Sequence, residues 1–322
     1  MKLALFHGAW IAAAMTLGGC SFVAISAAPR KLQSAERTSQ AQRADEVFWR
    51  TLHAGDYDGI PSAQKILMGA YLADPGDSKT AAHIGFLHVW RLSERARLAD
   101  PGPTIVDHAA LGRRFLQEAV ALDPTDARYL GFLGSALLSE GAIHKDERLT
   151  RRGYYTLREA IDAWPEFNLF TAGYVLSAQP KGSERFKEAL EWQWTTLDRC
   201  AGTRIDRQNP DFRPYMASET NSGPKRVCWN SWIAPHNFEG FFLNFGDMLV
   251  KAGEWKTAKV AYANAKHSSS YSEWTLAPVL EERIQSAENN VEKFAAPAVK
   301  RAGIEPAMML QSKFACVACH QK

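Results

Sequence analysis

Three stretches of the chain end alike: Ala70-Tyr71-Leu72-Ala73-Asp74-Pro75, Ala119-Val120-Ala121-Leu122-Asp123-Pro124 and Ala160-Ile161-Asp162-Ala163-Trp164-Pro165. Each predicts a helix that stops before a proline, because the pyrrolidine ring drives the preceding residue out of the α region. Each is followed by an apolar run carrying glycine: Ile84-Gly85-Phe86-Leu87, Leu130-Gly131-Phe132-Leu133-Gly134 and Ala172-Gly173-Tyr174-Val175-Leu176. Glycine in such a run lets a neighbouring helix come close, so helix, proline turn and small-residue helix describe a hairpin repeated along the chain. Helical periodicity starts at about Asp45, and neither an alternating β-branched run nor an Asn-Gly turn signals a strand. The expected fold is all-α, with degenerate helical-hairpin repeats over residues 45–300 and a helical tail at 301–322.

Further along, Gly253-Glu254-Trp255 is followed by Ala258, Tyr262 and Ala265, and Gly55-Asp56-Tyr57 is a fainter echo near the start. This ladder of aromatic and alanine positions resembles the tetratricopeptide repeat family. The proline-ended stretches recur at spacings of 49 (119 − 70) and 41 (160 − 119) residues, longer than the roughly 34 of that family. The resemblance therefore implies degenerate repeats with insertions. Between about Asp198 and Glu239 the helical rhythm breaks, with Asn209-Pro210, Arg213-Pro214, Gly223-Pro224 and Ala234-Pro235 among the aromatics Phe212, Tyr215, Trp229, Trp232 and Phe238. An irregular insertion of that length inside a compact domain is expected to carry function or to be disordered, and its aromatics argue for order. It is a candidate wall for a site, a partner surface, or packing for its own repeats.

The last dozen residues hold Cys316-Val317-Ala318-Cys319-His320. C-x-x-C-H fixes both spacing and residue type because two thiols add across the two vinyl groups of one haem while the adjacent imidazole ligates its iron. On a helix, positions i, i+3 and i+4 share a face, so Cys316, Cys319 and His320 would address one porphyrin. A zinc reading would need a fourth ligand, and no second C-x-x-C exists. The stretch resembles the haem-attachment signature of c-type cytochromes, over five residues. In the familiar small cytochrome domain several helices follow the signature. Here Gln321 and Lys322 follow it, which implies a pocket built from upstream residues or from another protein. The implied cofactor is one covalent haem c, with Cys316 and Cys319 attaching it and His320 binding the iron.

At the other end, Met1-Lys2, the apolar stretch Leu3 to Leu17 and Gly18-Gly19-Cys20 read as a charged n-region, a short h-region and a small-residue cleavage site. Leu17-Gly18-Gly19-Cys20 resembles a bacterial lipobox. The resemblance implies a signal peptide at 1–19, a lipidated Cys20, a flexible tether at 20–44 and, with Ser21 next, the outer membrane. An ordinary secretory signal is the alternative. Export and haem attachment agree on a bacterial envelope compartment facing the periplasm. Of the five cysteines, Cys200 and Cys228 remain, and in an oxidising compartment two leftover thiols are expected to pair. That bridge, across a separation of 28 (228 − 200) residues, would stabilise the fold by roughly 3 kcal/mol.

With 46% hydrophobic and 23% charged residues the composition is globular, and a net charge of +3 with no basic run interleaved with aromatics gives no case for nucleic acid. No G-x-S-x-G, H-E-x-x-H, P-loop or dinucleotide glycine fingerprint is present. The scattered tryptophans, such as Trp90, Trp192, Trp194 and Trp274, read as core packing. For a sixth iron ligand the nearest candidates are Met308 and Met309. If Pro306 opens a helix running through His320, Met309 falls on the proximal side of the haem. His236 follows from its place in the aromatic insertion, and the wider pool holds His53, His83, His88, His108, His144, His267, Met68, Met216 and Met248. A partner's side chain, or an open site, is the alternative. The expected function is electron transfer by an iron centre on a lipid-anchored repeat protein that docks a redox partner in the envelope, with an enzyme the less expected reading. A scaffold or assembly protein with a structural or sensing haem, and a peroxidase-type haem enzyme, are the alternatives.

Overall fold

The computed structural model describes residues 23–297 and 304–322; the signal segment and Cys20 lie outside the described residues. Residues 1–33 and 34–322 form two units, and the described part of the first contains a short helical turn closed by the Ala27 N–H on the Val23 carbonyl. The second unit, residues 34–322, carries the helical body and the tail. Among the described residues the structure is helical with no strand, as the periodicity implied.

The helices come in the order α1 Ser39–His53, α2 Ile60–Ala73, α3 Ser78–Ser93, α4 Asp107–Leu122, α5 Ala127–His144, α6 Glu147–Ala163, α7 Pro165–Leu176 and α8 Glu184–Ala201. After the insertion follow α9 Asn237–Ala252, α10 Trp255–Ala263, α11 Ala277–Ser286, α12 Val291–Ala295 and the single turn α13 Val317–His320. From α1 to α8 each helix packs on the next, and α1 also touches α3, α3 touches α5 and α5 touches α7, so the odd-numbered helices form a continuous layer. That is the arrangement of stacked hairpins. The proline-ended helices are α2, α4 and α6, which stop at Ala73, Leu122 and Ala163. In two of the turns the residue after Asp-Pro-x is another aspartate that caps the following helix: Asp77 accepts the Lys79 N–H at 3.2 Å and Asp126 the Arg128 N–H at 2.9 Å. Both carboxylates satisfy an otherwise orphan amide of a helix N-terminus.

Helix α1 begins six residues before the expected start, at Ser39 (45 − 39). Its first turn looks polar, yet Ala41 and Ala44 are fully buried and Thr38 caps it by accepting the Ala41 N–H at 3.1 Å. Chain expected as tether is therefore already bound: Ser34 donates to Asp74 at 2.5 Å, and Arg37 reaches Asp77 and Asp45 at 3.0 and 3.2 Å.

Two cores result. One is built on α1, α2 and α3 around Phe48, Leu67 and Trp90; the larger one runs from α5 to α12 around Phe242, Phe245 and Tyr262. Helix α9 is buried from Phe238 to Lys251 and forms the axis of the larger core, as expected of a helix apolar on most sides. Among the tryptophans expected as core, Trp90, Trp194 and Trp274 are buried and Trp192 is half-buried. The ladder at Gly253, Trp255, Ala258 and Tyr262 falls on the α9–α10 hairpin, where Gly253 takes φ +93° to end α9 and Tyr262 packs against Gly246. No described helix is long and apolar enough to cross a membrane.

Candidate functional site

The tail does not form one helix from Pro306 to His320. A 3-10 turn at Met309–Gln311 and the short α13 are separated by irregular chain. Tertiary contacts override the helical start at proline, because the main-chain N–H groups that a helix would use internally are taken by side chains far away in sequence. Asp247 accepts the Met309 N–H at 2.7 Å, and Glu94 accepts the Cys316 and Val317 N–H groups at 2.7 and 3.0 Å. Arg283 donates to the Ala307 carbonyl at 2.6 Å, Arg97 to Lys313 at 2.7 Å, Tyr174 to Ala315 at 2.7 Å and Trp274 to Ala318 at 2.9 Å. The His236 N–H donates to the Cys319 carbonyl at 3.0 Å, and the Lys322 N–H to His53 at 2.9 Å.

The tail is thus embedded in the body. Val317 belongs to the first core, while Met308, Met309, Ala318 and Cys319 belong to the second. Glu94 and Asp247 are both fully buried and each has a guanidinium partner, Arg97 at 2.7 Å and Arg283 at 3.2 Å. Burial raises both carboxyls above their ordinary range, against the pull of those cations and of the amides they hold. Buried charges persist in this way only when paired and hydrogen-bonded.

Cys316, Cys319 and His320 lie on one helical turn, with Cys316 at its N-terminal boundary in the αR region. Both thiols are free. Burial pushes the Cys319 thiol up to about 12, with Glu239 adding to it, and lifts the Cys316 thiol well above its ordinary value, with Glu94 adding to it. Both are therefore protonated at neutral pH. Cys319 sits in a notch at Gly240 of α9, where a Cβ would overlap its Sγ. The His320 Nδ1 lies 2.9 Å from the Ile233 carbonyl. A carbonyl only accepts, so Nδ1 carries the proton and Nε2 keeps its lone pair. Burial also lowers the His320 imidazole to about 4, outweighing the Ile233 carbonyl, so at pH 7 it is the neutral, ligating form.

Around His320 lies a series of half-buried aromatic rings. Phe86 meets its imidazole edge-on at 5.6 Å; Phe132 lies 5.5 Å from Phe86 and Phe167 5.9 Å from Phe132, running along α3, α5 and α7. Phe170 continues to Phe241 on α9 at 5.5 Å and to Tyr174 at 5.9 Å. A half-buried apolar ring against a tethered imidazole, with two thiols on the same turn, fits a porphyrin, whose faces are apolar and whose iron takes imidazole. The donor set and its surroundings thus suit a covalent haem. A cavity of about 520 Å³ also borders the tail, lined by Asp56, Tyr57, Arg97, Lys313 and Val317.

The insertion contributes the imidazole's anchor. Cys200, near the end of α8, and Cys228, at the end of a 3-10 turn, form a disulfide with Cα atoms 5.7 Å apart. Phe212 and Trp229 pack on Phe238, and Ile233 and His236 follow on the way into α9. The insertion is ordered and walls the site at Ile233.

The other candidate ligands scatter. Met308 and Met309 are buried in the second core, where Met309 is held by Asp247. His236 is buried, with Nδ1 3.3 Å from Glu239 and its ring near Trp274. The His53 ring meets Trp232 at 5.1 Å. His83 stacks on Phe48 at 3.8 Å with Nδ1 2.7 Å from Asp45, and His88 pairs with His108, so the two α3 histidines face different neighbours. Sequence reasoning missed Glu94, Asp247 and the ring series. The rings had a signal, since Gly85-Phe86 and Gly131-Phe132 occupy the same place in consecutive repeats. The carboxylates had none, because Glu94 stands 222 residues from the amide it holds. No family model, curated protein or solved structure matches the chain.

Proposed function

We propose that this chain is an electron-transfer protein of the bacterial cell envelope, held by a lipid on Cys20, carrying one covalent c-type haem and docking a redox partner. The observation that carries the reading is one helical turn presenting Cys316, Cys319 and a neutral His320 whose Nδ1 is committed to the Ile233 carbonyl. Bound there, haem supplies an iron that exchanges one electron between its ferrous and ferric states. Cys316 and Cys319 would hold the haem through thioethers, each S–H adding across one vinyl double bond with no electron gained or lost. His320 offers Nε2 to the iron, and the Ile233 carbonyl fixes the ring orientation and raises its basicity, as the outer partner of a metal-bound histidine does. Phe86, which meets the His320 ring, would help to exclude water from a haem held there, which would favour electron exchange with little reorganisation. Trp232 is 58% exposed and Ile233 42% exposed, directly beside the tail, and this apolar edge suits the face that meets a redox partner.

The test is to express the chain with a c-type haem maturation system and examine the purified protein by denaturing mass spectrometry and by the reduced pyridine spectrum. The expected result is one haem per chain retained on denaturation, one thioether lost in each of Cys316→Ser and Cys319→Ser, and reversible one-electron cycling in a potentiometric titration. A chain that matures without covalent haem sinks the proposal. Incorporation of labelled lipid, abolished in Cys20→Ala, tests the anchor separately.

A further inference from the structure

Away from the tail, three polar side chains from three helices converge between α2, α3 and α4. His88 Nδ1 lies 2.9 Å from His108 Nδ1 and 3.1 Å from the Gln64 amide Nε2. A neutral imidazole nitrogen offers one in-plane lone pair or one proton, so His88 Nδ1 cannot make two well-directed hydrogen bonds here. With the Gln64 amide turned to present Oε1, each of the three side chains has a lone pair to offer, and both partners lie within 3.1 Å of His88 Nδ1. Separations near 3 Å are the edge lengths of a coordination shell whose bonds are about 2.0–2.1 Å. We infer that His88, His108 and Gln64 bind one divalent transition-metal ion that prefers imidazole, with Cu2+ the strongest binder.

The donors are already in place, since each is fixed to a different packed helix and the His88 ring stacks on Phe115 at 6.0 Å. Metal binding then requires little ordering. His88 is buried, while His108 and Gln64 are partly exposed, which gives the ion an entry path and lets water complete its shell. Burial lowers His88 to about 4 and lowers His108 as well, so protons do not compete at neutral pH. Of the charges facing His108, Asp107 favours a cation and Arg91 opposes one, but the Arg91 guanidinium is drawn onto the Tyr57 ring at 4.4 Å. The two imidazoles select copper, nickel and zinc over magnesium and calcium, which the amide oxygen alone would suit, and the general stability order places Cu2+ first. Among the described residues no group of three or more His, Cys, Asp or Glu converges on a metal position, so the site rests on two imidazoles and an amide.

The test uses the full chain with Cys20→Ser, Cys316→Ser and Cys319→Ser, so that none of the three cysteines outside the disulfide competes and the outcome is independent of haem. Cu2+ is titrated calorimetrically, and the bound ion is examined by low-temperature electron paramagnetic resonance. The expected result is one ion per chain with hyperfine structure from two imidazole nitrogens, weakened about tenfold or more in His88→Gln and in His108→Gln. His144→Gln, on the exposed end of α5, leaves it unchanged. Should His88→Gln fail to fold, the partly exposed His108→Gln decides. Absence of stoichiometric binding, or affinity indifferent to His108→Gln, overturns the inference.

Discussion

Glu94 does the work of a helix cap from a distance. Its one buried carboxylate takes the first two amides of the Cys316–His320 turn, which would otherwise be orphaned in the interior, and Arg97 neutralises it. Glu94→Gln keeps an acceptor but removes the charge, weakening both amide bonds and leaving Arg97 without its counter-charge. The expected cost is about 1–3 kcal/mol in chemical denaturation. Amide exchange at Cys316 and Val317 should accelerate by more than exchange in α9, and equal acceleration everywhere would show that Glu94 acts on the fold at large. The same logic explains His320, whose value as a ligand is set by a carbonyl in another part of the chain.

At the scale of the element, two substitutions separate capping from packing. Burial pushes the Asp126 carboxyl up, but Arg128 and the backbone amides of α5 outweigh it and hold the group below its ordinary value. A carboxyl depressed in the folded state stabilises above its unfolded range, and that contribution is lost as pH falls through the folded value. Asp126→Asn retains the cap, since asparagine caps as well as aspartate. It should cost about 1 kcal/mol at pH 7 and flatten the loss of melting temperature below about pH 4. Helix α9 poses the packing case. Its Gly240 leaves the notch for Cys319, so Gly240→Ala forces the tail or the helix to shift. Overpacking of this kind costs about 1–3 kcal/mol. The variant should retain its helical circular dichroism while its yield of covalent haem falls; full haem yield with unchanged stability would show that the notch is not needed.

For the molecule as a whole, the tail is the bridge between two cores, and the disulfide secures the insertion that anchors its imidazole. Replacing Cys200 and Cys228 together by serine should lower stability by roughly 3 kcal/mol from the loop entropy alone. It should also loosen Ile233, read as broadened iron-ligand spectra in the haem-loaded protein. Unchanged spectra would place the anchor's rigidity in the packing of Phe212 and Trp229 instead. The repeats were legible because proline, glycine and apolar spacing act locally, and Pro75, Pro124 and Pro165 end helices through their own covalent geometry. That Cys316, Cys319 and His320 share one turn was legible for a similar reason, since it follows from spacing within five residues.

By itself the sequence determined the all-α hairpin pattern and the shared turn of Cys316, Cys319 and His320, each a short-range property of residue type and spacing. It placed the start of α1 too late, because Ala41 and Ala44 reveal their buried face only when α2 and α3 are present. It extended the tail as a helix from Pro306, because nothing near that proline shows that Asp247 and Glu94 will claim its amides. Tertiary structure alone decided that the tail is seated inside the body, that Phe86 meets His320 at the end of a ring series through Phe132 and Phe167, and that Ile233 fixes its tautomer. Buried polar groups must find partners wherever the fold brings them, and those partners lie from 62 to 223 residues away along the chain.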